Sequence, residues 1–482
     1  MTFLLRLFPE ITLKSPAVRR AQTRQLGQNI RRVLKALEIP VEVTTAFDRI
    51  LVKVAPDDAQ RTCEALQQIP GIDHIQAVEP RTFADLDDLS AQVCALFAPH
   101  LQGKAFAVRA RRQGEHGFSS QDVERRVGSA LLMAAPGASI DLRQPDVTVR
   151  LAIRDQSVDL ETARWPGLGG YPLGSQEAVV SLLSGGFDSA VAAYLAIRRG
   201  LRSHFVFFNL GGVTHEAGVR QMALHLWQRY QTSHRMRFVS VPFDGVLAAL
   251  AEQVPDALRG VILKRLMMRA ADAVAESLNA CALVTGEAVA QVASQTLPNL
   301  GLIDRACERL VLRPLIAYDK TEIIRLARQI GTEALARHMP EYCGVIARQP
   351  ATAASATRVL AVEAKLPEGL IDDALARRQV LFVDALGEGL IQAPGELERV
   401  SMPPPGVTVV DIRHPDVQQA RPLVLPNNPV RAIPFYALNR HVDELAALPG
   451  CLLYCEQGTM SQLHGLHLRD RIPGIRVYQP DQ

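Results

Sequence analysis

The stretch Ser184-Gly185-Gly186-Phe187-Asp188-Ser189 constrains this chain more than any other. Before it runs Ala178-Val179-Val180-Ser181-Leu182-Leu183, whose apolar character predicts a buried strand. After it, Ala190-Val191-Ala192-Ala193-Tyr194-Leu195-Ala196-Ile197 predicts a helix ended by Gly200. A strand feeding a glycine–serine loop and then a helix N-terminus is a ready phosphate site. The glycines let the backbone approach, hydroxyls and amides donate, and the helix dipole favours the anion. No Gly-Lys-Ser/Thr follows the glycines, which excludes the loop of the GTPases and common ATPases. From 177 to about 345 strands alternate with helices, so a parallel sheet is expected. Ligands sit beyond the carboxyl ends of such strands. Ser184, Asn209 (after Phe205-Val206-Phe207-Phe208) and Gly286 (after Ala282-Leu283-Val284-Thr285) all fall there.

The six residues resemble the SGGxDS signature of the PP-loop ATP pyrophosphatases, which implies cleavage of ATP to AMP and pyrophosphate. Ser184, Gly185, Gly186 and Ser189 would then contact the phosphates. Asp188 has two compatible readings: a carboxylate holding Mg²⁺ on the phosphates, or one stabilising the helix dipole. Lys264 lies on the otherwise apolar helix Val261–Met268. It either offers a point charge to phosphate or snorkels to the surface.

At 482 residues the chain is too long for one core, and about three domains are expected. No apolar run approaches the roughly 18 residues of a membrane span, and the first ten residues are broken by Arg6 and Pro9. Seven scattered cysteines make a secreted disulfide framework unfavourable, and a cytoplasmic protein is expected. Net charge is only +3. Residues 1–32, however, carry seven basic side chains against Glu10, which suits either a phosphate-rich partner or a solvated helix face.

Residues 1–75 read as strand–helix–strand–strand–helix, with Ser15 as N-cap and Pro16 at the first helical position; the order resembles a ferredoxin-like unit. Residues 76–165 carry Phe106-Ala107-Val108-Arg109, the basic run Arg109 to Arg112, Phe118-Ser119-Ser120 and Pro145-Asp146-Val147. These resemble a THUMP domain, which implies RNA binding, with Arg109, Arg111 and Arg112 as candidate contacts. Pro166 to Gln176 reads as a glycine–proline hinge. The PP-loop domain is placed at 177–345, and the alanine-rich, proline-interrupted 346–400 as a helical linker. A last domain follows at 401–482.

In that last domain Cys455 tops the strand Leu452-Leu453-Tyr454, and its loop opens a helix. A thiol at a helix N-terminus has a lowered pKa and enough thiolate to react. Together with Asp411-Ile412-Arg413 the loop resembles a rhodanese domain, whose cysteine carries sulfur as a persulfide. Ser461 stands where a related phosphatase would place arginine, which disfavours phosphatase chemistry. Cys451, inside the strand, reads as a buried small hydrophobe. Cys63, Cys94, Cys281 and Cys307 also read as structural.

Taken together, Leu182 to Ser189, Phe208-Asn209-Leu210-Gly211-Gly212, Lys264, Thr285-Gly286-Glu287, Ser294-Gln295-Thr296-Leu297 and Met339-Pro340-Glu341-Tyr342-Cys343-Gly344 resemble the bacterial tRNA sulfurtransferase (4-thiouridine synthetase) family across essentially the whole chain. The resemblance implies ATP contacts at Leu182, Leu183, Lys264, Gly286 and Gln295. It pairs Cys343 with Cys455 as a redox couple, which requires Cα atoms within about 7 Å and so a swing of the last domain. It also implies tRNA, a cysteine desulfurase as sulfur donor, a sulfur-carrier protein of thiazole synthesis and a thioredoxin-like reductant as partners, with no membrane. Rival readings are the same chemistry on a carrier-protein carboxyl terminus, plain thiosulfate sulfurtransferase activity, and a non-catalytic RNA-binding protein.

Overall fold

Phe3, Leu4, Leu5 and Leu7 are buried in the first strand, and Arg49–Lys53 beside it alternates buried Ile50 and Val52 with more exposed positions, the pattern that fixes register in a half-covered sheet. The computed structural model describes all residues except 47, 48, 211, 338, 340–346, 388–396, 414, 457, 470, 481 and 482. It divides into two units, the first comprising Met1–Ser175 with Arg198–Gly200 and the second the remainder.

In the first unit the strands are β1 (Thr2–Leu7), β2 (Glu42–Thr45), β3 (Arg49–Lys53), β4 (Ile72–Thr82), β5 (Ala105–Gln113), β6 (Ser139–Ile140), β7 (Val147–Arg154) and β8 (Ser157–Pro166). Among the described residues they form one sheet in the order β2-β3-β1-β4-β8-β7-β5-β6. The long β4 joins its halves, pairing with β1 on one side and β8 on the other. Helix α1 (Pro16–Ala36) buries Leu26, Ile30 and Leu34 against β1 and β3 residues. Helices α2 (Leu86–Leu101) and α3 (Ser120–Ala134) bury Val93, Val123 and Val127 against β5 and β7 residues. A capping box starts α3: Ser119 Oγ accepts from Asp122 N, and Asp122 accepts from Ser119 N at 2.8 Å.

The basic run Arg109–Arg112 lies inside β5, whose parallel pairing with β7 continues to Gln113, so neighbouring positions there point to opposite faces. One expectation changes here. The expected hinge at 166–176 is tied down. Gly167 N donates to Asp73 O and Gly169 N to Ile72 O, both at 2.8 Å. A Cβ on Gly167 would lie 2.2 Å from Ile72 O, so the glycine serves close approach rather than bending.

The second unit contains β9 (Ala178–Leu182), β10 (Arg202–Asn209), β11 (Arg237–Pro242), β12 (Ala282–Val284), β13 (Leu310–Leu312) and β14 (Gln379–Phe382). The described strands order as β13-β12-β9-β10-β11-β14, parallel except for β14. Strand order reverses between β9 and β12, the switch point where open α/β sheets bind ligands. The helices used below are α4 (Phe187–Arg198), α5 (Gly212–Tyr230), α6 (Asp256–Ser277) and α7 (Lys320–Ile330). Near the carboxyl end of the chain, β15 (Arg399–Val400), β16 (Thr408–Asp411), β17 (Val430–Ala432), β18 (Cys451–Tyr454) and β19 (Arg476–Tyr478) make a parallel sheet ordered β15-β19-β18-β16-β17, with α8 (Thr459–Leu468) after β18. α8 packs on α5, and one apolar core holds Val180, Val206 and Leu283 together with Val410, Leu453 and Cys455.

The stretch 346–400 is more than a helical linker. It supplies the edge strand β14, and Ala356–Glu363 docks through Val359 and a buried ion pair from Arg265 Nε to Glu363 Oε2 at 2.7 Å. Asn299 Nδ2 also donates to Ala351 O at 2.8 Å, and Asn299 Oδ1 accepts from Ala354 N at 3.0 Å. Periodicity within the stretch does not reveal these partners, because they lie 52 to 98 residues away.

Candidate active site

The loop after β9 turns through Gly185 at φ +85°, a conformation costly for other residues. It closes on Ser189, whose Oγ accepts from Ser184 N and donates to Gly186 O at 3.1 Å. His215, on the first turn of α5, donates from Nε2 to Ser184 O at 3.0 Å with its ring edge-on to Phe207. Burial pushes its pKa down from 6.5 to about 4, so the imidazole is neutral at physiological pH. Half-buried His204 is likewise pushed down to about 4, chiefly by desolvation. Each histidine keeps its folded-state advantage above pH 6.5 and loses it as the pH falls towards 4, because the unfolded chain takes the proton first. We expect a loss on the order of 3 kcal/mol per histidine across that window. Chemical denaturation at stepped pH would measure it, with a smaller loss in His215→Gln.

Gly286, just past β12, meets this loop backbone to backbone. A Cβ there would lie 2.5 Å from Asp188 C and 2.6 Å from Ser189 N. Neither neighbour can yield, so Gly286→Ala must push the two strand-end loops apart. A displacement of that kind is expected to slow any ATP-consuming step roughly tenfold to a hundredfold, read as pyrophosphate release. Gln295, in the short turn Ala293–Gln295, is buried, and among the described residues its Oε1 has no hydrogen-bond partner. Asn209 Oδ1 accepts from Gly212 N at 2.8 Å and so shapes the start of α5. Leu183 is buried under the loop, with Leu182 packed against the core.

Charge at the site is paired. Lys320, the first residue of α7, places Nζ 2.9 and 3.0 Å from the two carboxylate oxygens of Asp188. Lys264 projects from α6 to Glu287 Oε1 at 2.9 Å, and Arg313 Nε reaches Glu287 Oε2 at 2.8 Å. Burial alone would raise the Glu287 pKa, but Lys264 and Arg313 together hold it below its ordinary value. Lys264 is therefore neither on the surface nor alone. Glu287 was marked only as part of Thr285-Gly286-Glu287, and Arg313, Lys320 and His215 had no assigned role, since each acts through a partner at least 23 residues away. Glu287 directly follows Gly286 in the strand-end loop, the one local signal available.

At the second centre Cys455 follows β18 and is buried, with Ser461 N donating to its Sγ at 3.4 Å. Gly458 takes φ +73° between the cysteine and α8. Ser461 is fully buried, and among the described residues its Oγ has no hydrogen-bond partner. Beside the loop Arg413 grips buried Asp411 through Nε at 2.8 Å and Nη2 at 2.6 Å, and its Nη1 lies 3.7 Å from Glu456. Burial pushes the Cys451 thiol up to about 11 and raises those of Cys63, Cys94 and Cys307. Cys281, read as structural, is exposed. Cys343 lies outside the described residues. Among the described residues no group of three or more His, Cys, Asp or Glu side chains is placed to hold a metal, and no helix is long and apolar enough to cross a membrane.

In the first unit Arg109, Arg111 and Arg112 are exposed on β5. Arg109 Nη2 donates to Leu142 O at 2.9 Å, and Arg112 Nη1 lies 3.1 Å from His116 Nδ1.

Three family models match this chain: the ThiI ferredoxin-like domain at residues 2–75, the THUMP domain at 83–160, and the thiamine biosynthesis protein (ThiI) at 174–367. Similar curated proteins named tRNA sulfurtransferase come from Marinobacter nauticus at 49% identity and from Pseudomonas aeruginosa at 48%, each alignment covering 100% of both chains. A crystal structure of a 4-thiouridine synthetase–RNA complex with bound ATP is 27% identical with a TM-score of 0.70, covering 79% of this chain and 99% of that one. PH1313 from Pyrococcus horikoshii, at 20% identity and TM-score 0.54, shares the fold. With full-length relatives at nearly half identity, this chain belongs to the tRNA sulfurtransferase family.

Proposed function

We propose that this enzyme transfers sulfur to a tRNA uridine, expected at position 8, to give 4-thiouridine in two stages. In the first, ATP binds beyond β9 and β12. The observation that carries this reading is the direct packing of Gly286 on the Asp188–Ser189 backbone, with the unpartnered Gln295 Oε1 in the turn that follows. The Ser184–Gly186 amides and the start of α4 receive the phosphates, Gly286 and Gln295 the nucleoside, and Lys264 supplies positive charge held in place by Glu287. The uridine O4 attacks the α-phosphate, pyrophosphate leaves, and the poor leaving oxygen becomes AMP. Asp188, paired here with Lys320, is the carboxylate that would hold Mg²⁺ brought in with the nucleotide. Bound there, Mg²⁺ would neutralise charge on the departing pyrophosphate.

In the second stage Cys455, in a rhodanese-type loop, carries a persulfide received from a cysteine desulfurase. Its terminal sulfur bonds to uridine C4 and AMP departs. Cys343 thiolate then attacks Cys455 Sγ, the sulfur–sulfur bond to the base breaks, and 4-thiouridine leaves. The protein is left with a Cys343–Cys455 disulfide, which a thioredoxin-like dithiol reduces with two electrons. Turnover by such reductants and ATP suits the cytoplasm. The exposed arginines of β5 and α1 support tRNA binding by backbone and shape. The same persulfide is proposed to feed a sulfur-carrier protein for thiazole synthesis, in line with the thiamine-related family description.

The test is pyrophosphate release from ATP with and without unmodified tRNA. Release that requires tRNA and disappears in Asp188→Ala supports the reading. Release that requires a carrier-protein carboxyl terminus and ignores tRNA would overturn it.

A further inference from the structure

Two glycines 33 residues apart face one methionine. A Cβ on Gly185 in the PP-loop would lie 2.5 Å from Met339 Cε, and one on Gly218 in α5 would lie 2.6 Å from Met339 Sδ and 2.9 Å from its Cε. Val219 closes the same space, 3.2 Å from the Gly185 position. One turn earlier on that helix, His215 fastens Ser184 O. The PP-loop and α5 thus leave a notch that lacks side chains at Gly185 and Gly218, and the Met339 thioether fills it.

The chain delivering Met339 is itself braced. Met339 N donates to Ala336 O at 3.1 Å, Thr332 is fully buried, and Glu333 pairs with Arg328 at 2.8 Å and Arg337 at 3.1 Å. Cys343 follows Met339 by four residues, a chain reach of at most about 14 Å. A flexible, polarisable side chain suits such a contact, since it fills irregular space without rigid directionality.

We propose that Met339 is a positioning residue: seated between Gly185 and Gly218, it fixes to the PP-loop the position four residues before Cys343 in sequence, so that adenylation and sulfur release are coupled. This rests on the two-stage reaction proposed above. Gly218 in a helix interior works against helix propensity, a cost the notch explains.

The experiment compares full-length wild type with Met339→Ala, Met339→Leu, Gly218→Ala and the double variant G218A/M339A. It measures 4-thiouridine formed per pyrophosphate released, the KM for ATP, and the thermal midpoint. Met339→Ala and Gly218→Ala should each lower the ratio roughly tenfold or more, with KM for ATP changed by less. Met339→Leu, of similar volume, should restore most of it. The double variant should be no worse than the poorer single, because the added methyl then meets open space. Unchanged ratios in both single variants, or a double variant showing the product of the two losses, would overturn the proposal. If wild type forms no 4-thiouridine, the reaction assignment fails and the seating is judged on stability alone. A midpoint shift from Gly218→Ala that differs between the Met339 and M339A backgrounds supports it, and equal shifts overturn it.

Discussion

Cys455→Ser is expected to abolish sulfur transfer to tRNA while tRNA-dependent pyrophosphate release continues. A serine oxygen holds no transferable sulfur, so the loss should reach three orders of magnitude or more, roughly the scale for removing a covalent nucleophile. The substitution is nearly isosteric in a buried site, and Ser461 N can donate to oxygen as it does to Sγ, so the fold should survive. Cys451→Ser is the internal control. That thiol is buried within β18 with its pKa raised to about 11, and the proposed transfer does not use it. Both products measured in one reaction separate the outcomes. Loss of pyrophosphate release as well would mean that the serine damaged the fold or that the two stages are not separable.

Glu287→Ala is expected to destabilise the second unit by about 3 kcal/mol or more, the range for removing one partner of a buried charge set. Lys264 and Arg313 are both largely buried, and Lys264 has no other ion pair among the described residues; Arg313 keeps Asp304. Glu287→Gln should lose less, since its amide oxygen still accepts hydrogen bonds. The pH dependence follows from the depressed Glu287 pKa. Its contribution is complete above the unfolded carboxylate value and is lost as pH falls through the lower folded one. Chemical denaturation near neutral pH and at acid pH checks this: the difference between wild type and Glu287→Gln should narrow on acidification.

Local pattern exposed what local interactions build. The Ser184 loop, the strands flanking it and the Cys455 strand–loop–helix could be read because each is made by consecutive residues. Ser15 was also legible as the N-cap position, although its side chain makes no capping bond. The partners were not legible. Nothing near Lys264 announces Glu287, nothing near Asp188 announces Lys320, and Met339 meets its glycines only after three separate elements assemble. The alanine-rich stretch after 346 looked like a linker because its composition is helical, while Glu363 and β14 act through distant Arg265 and β11. Glycines were legible as breaks but not by purpose: Gly167 reads as a bend and functions as a contact with Ile72.

The most direct test of the central claim, that the Ser184 loop and Cys455 serve one reaction on tRNA, is the 4-thiouridine content of bulk unmodified tRNA. The protein would be incubated with ATP, Mg²⁺, cysteine, a cysteine desulfurase and a dithiol reductant. Wild type should thiolate uridine over many turnovers, Asp188→Ala and Cys455→Ser should not, and Cys343→Ser should stall under turnover. Full-rate thiolation by Cys455→Ser would contradict the account.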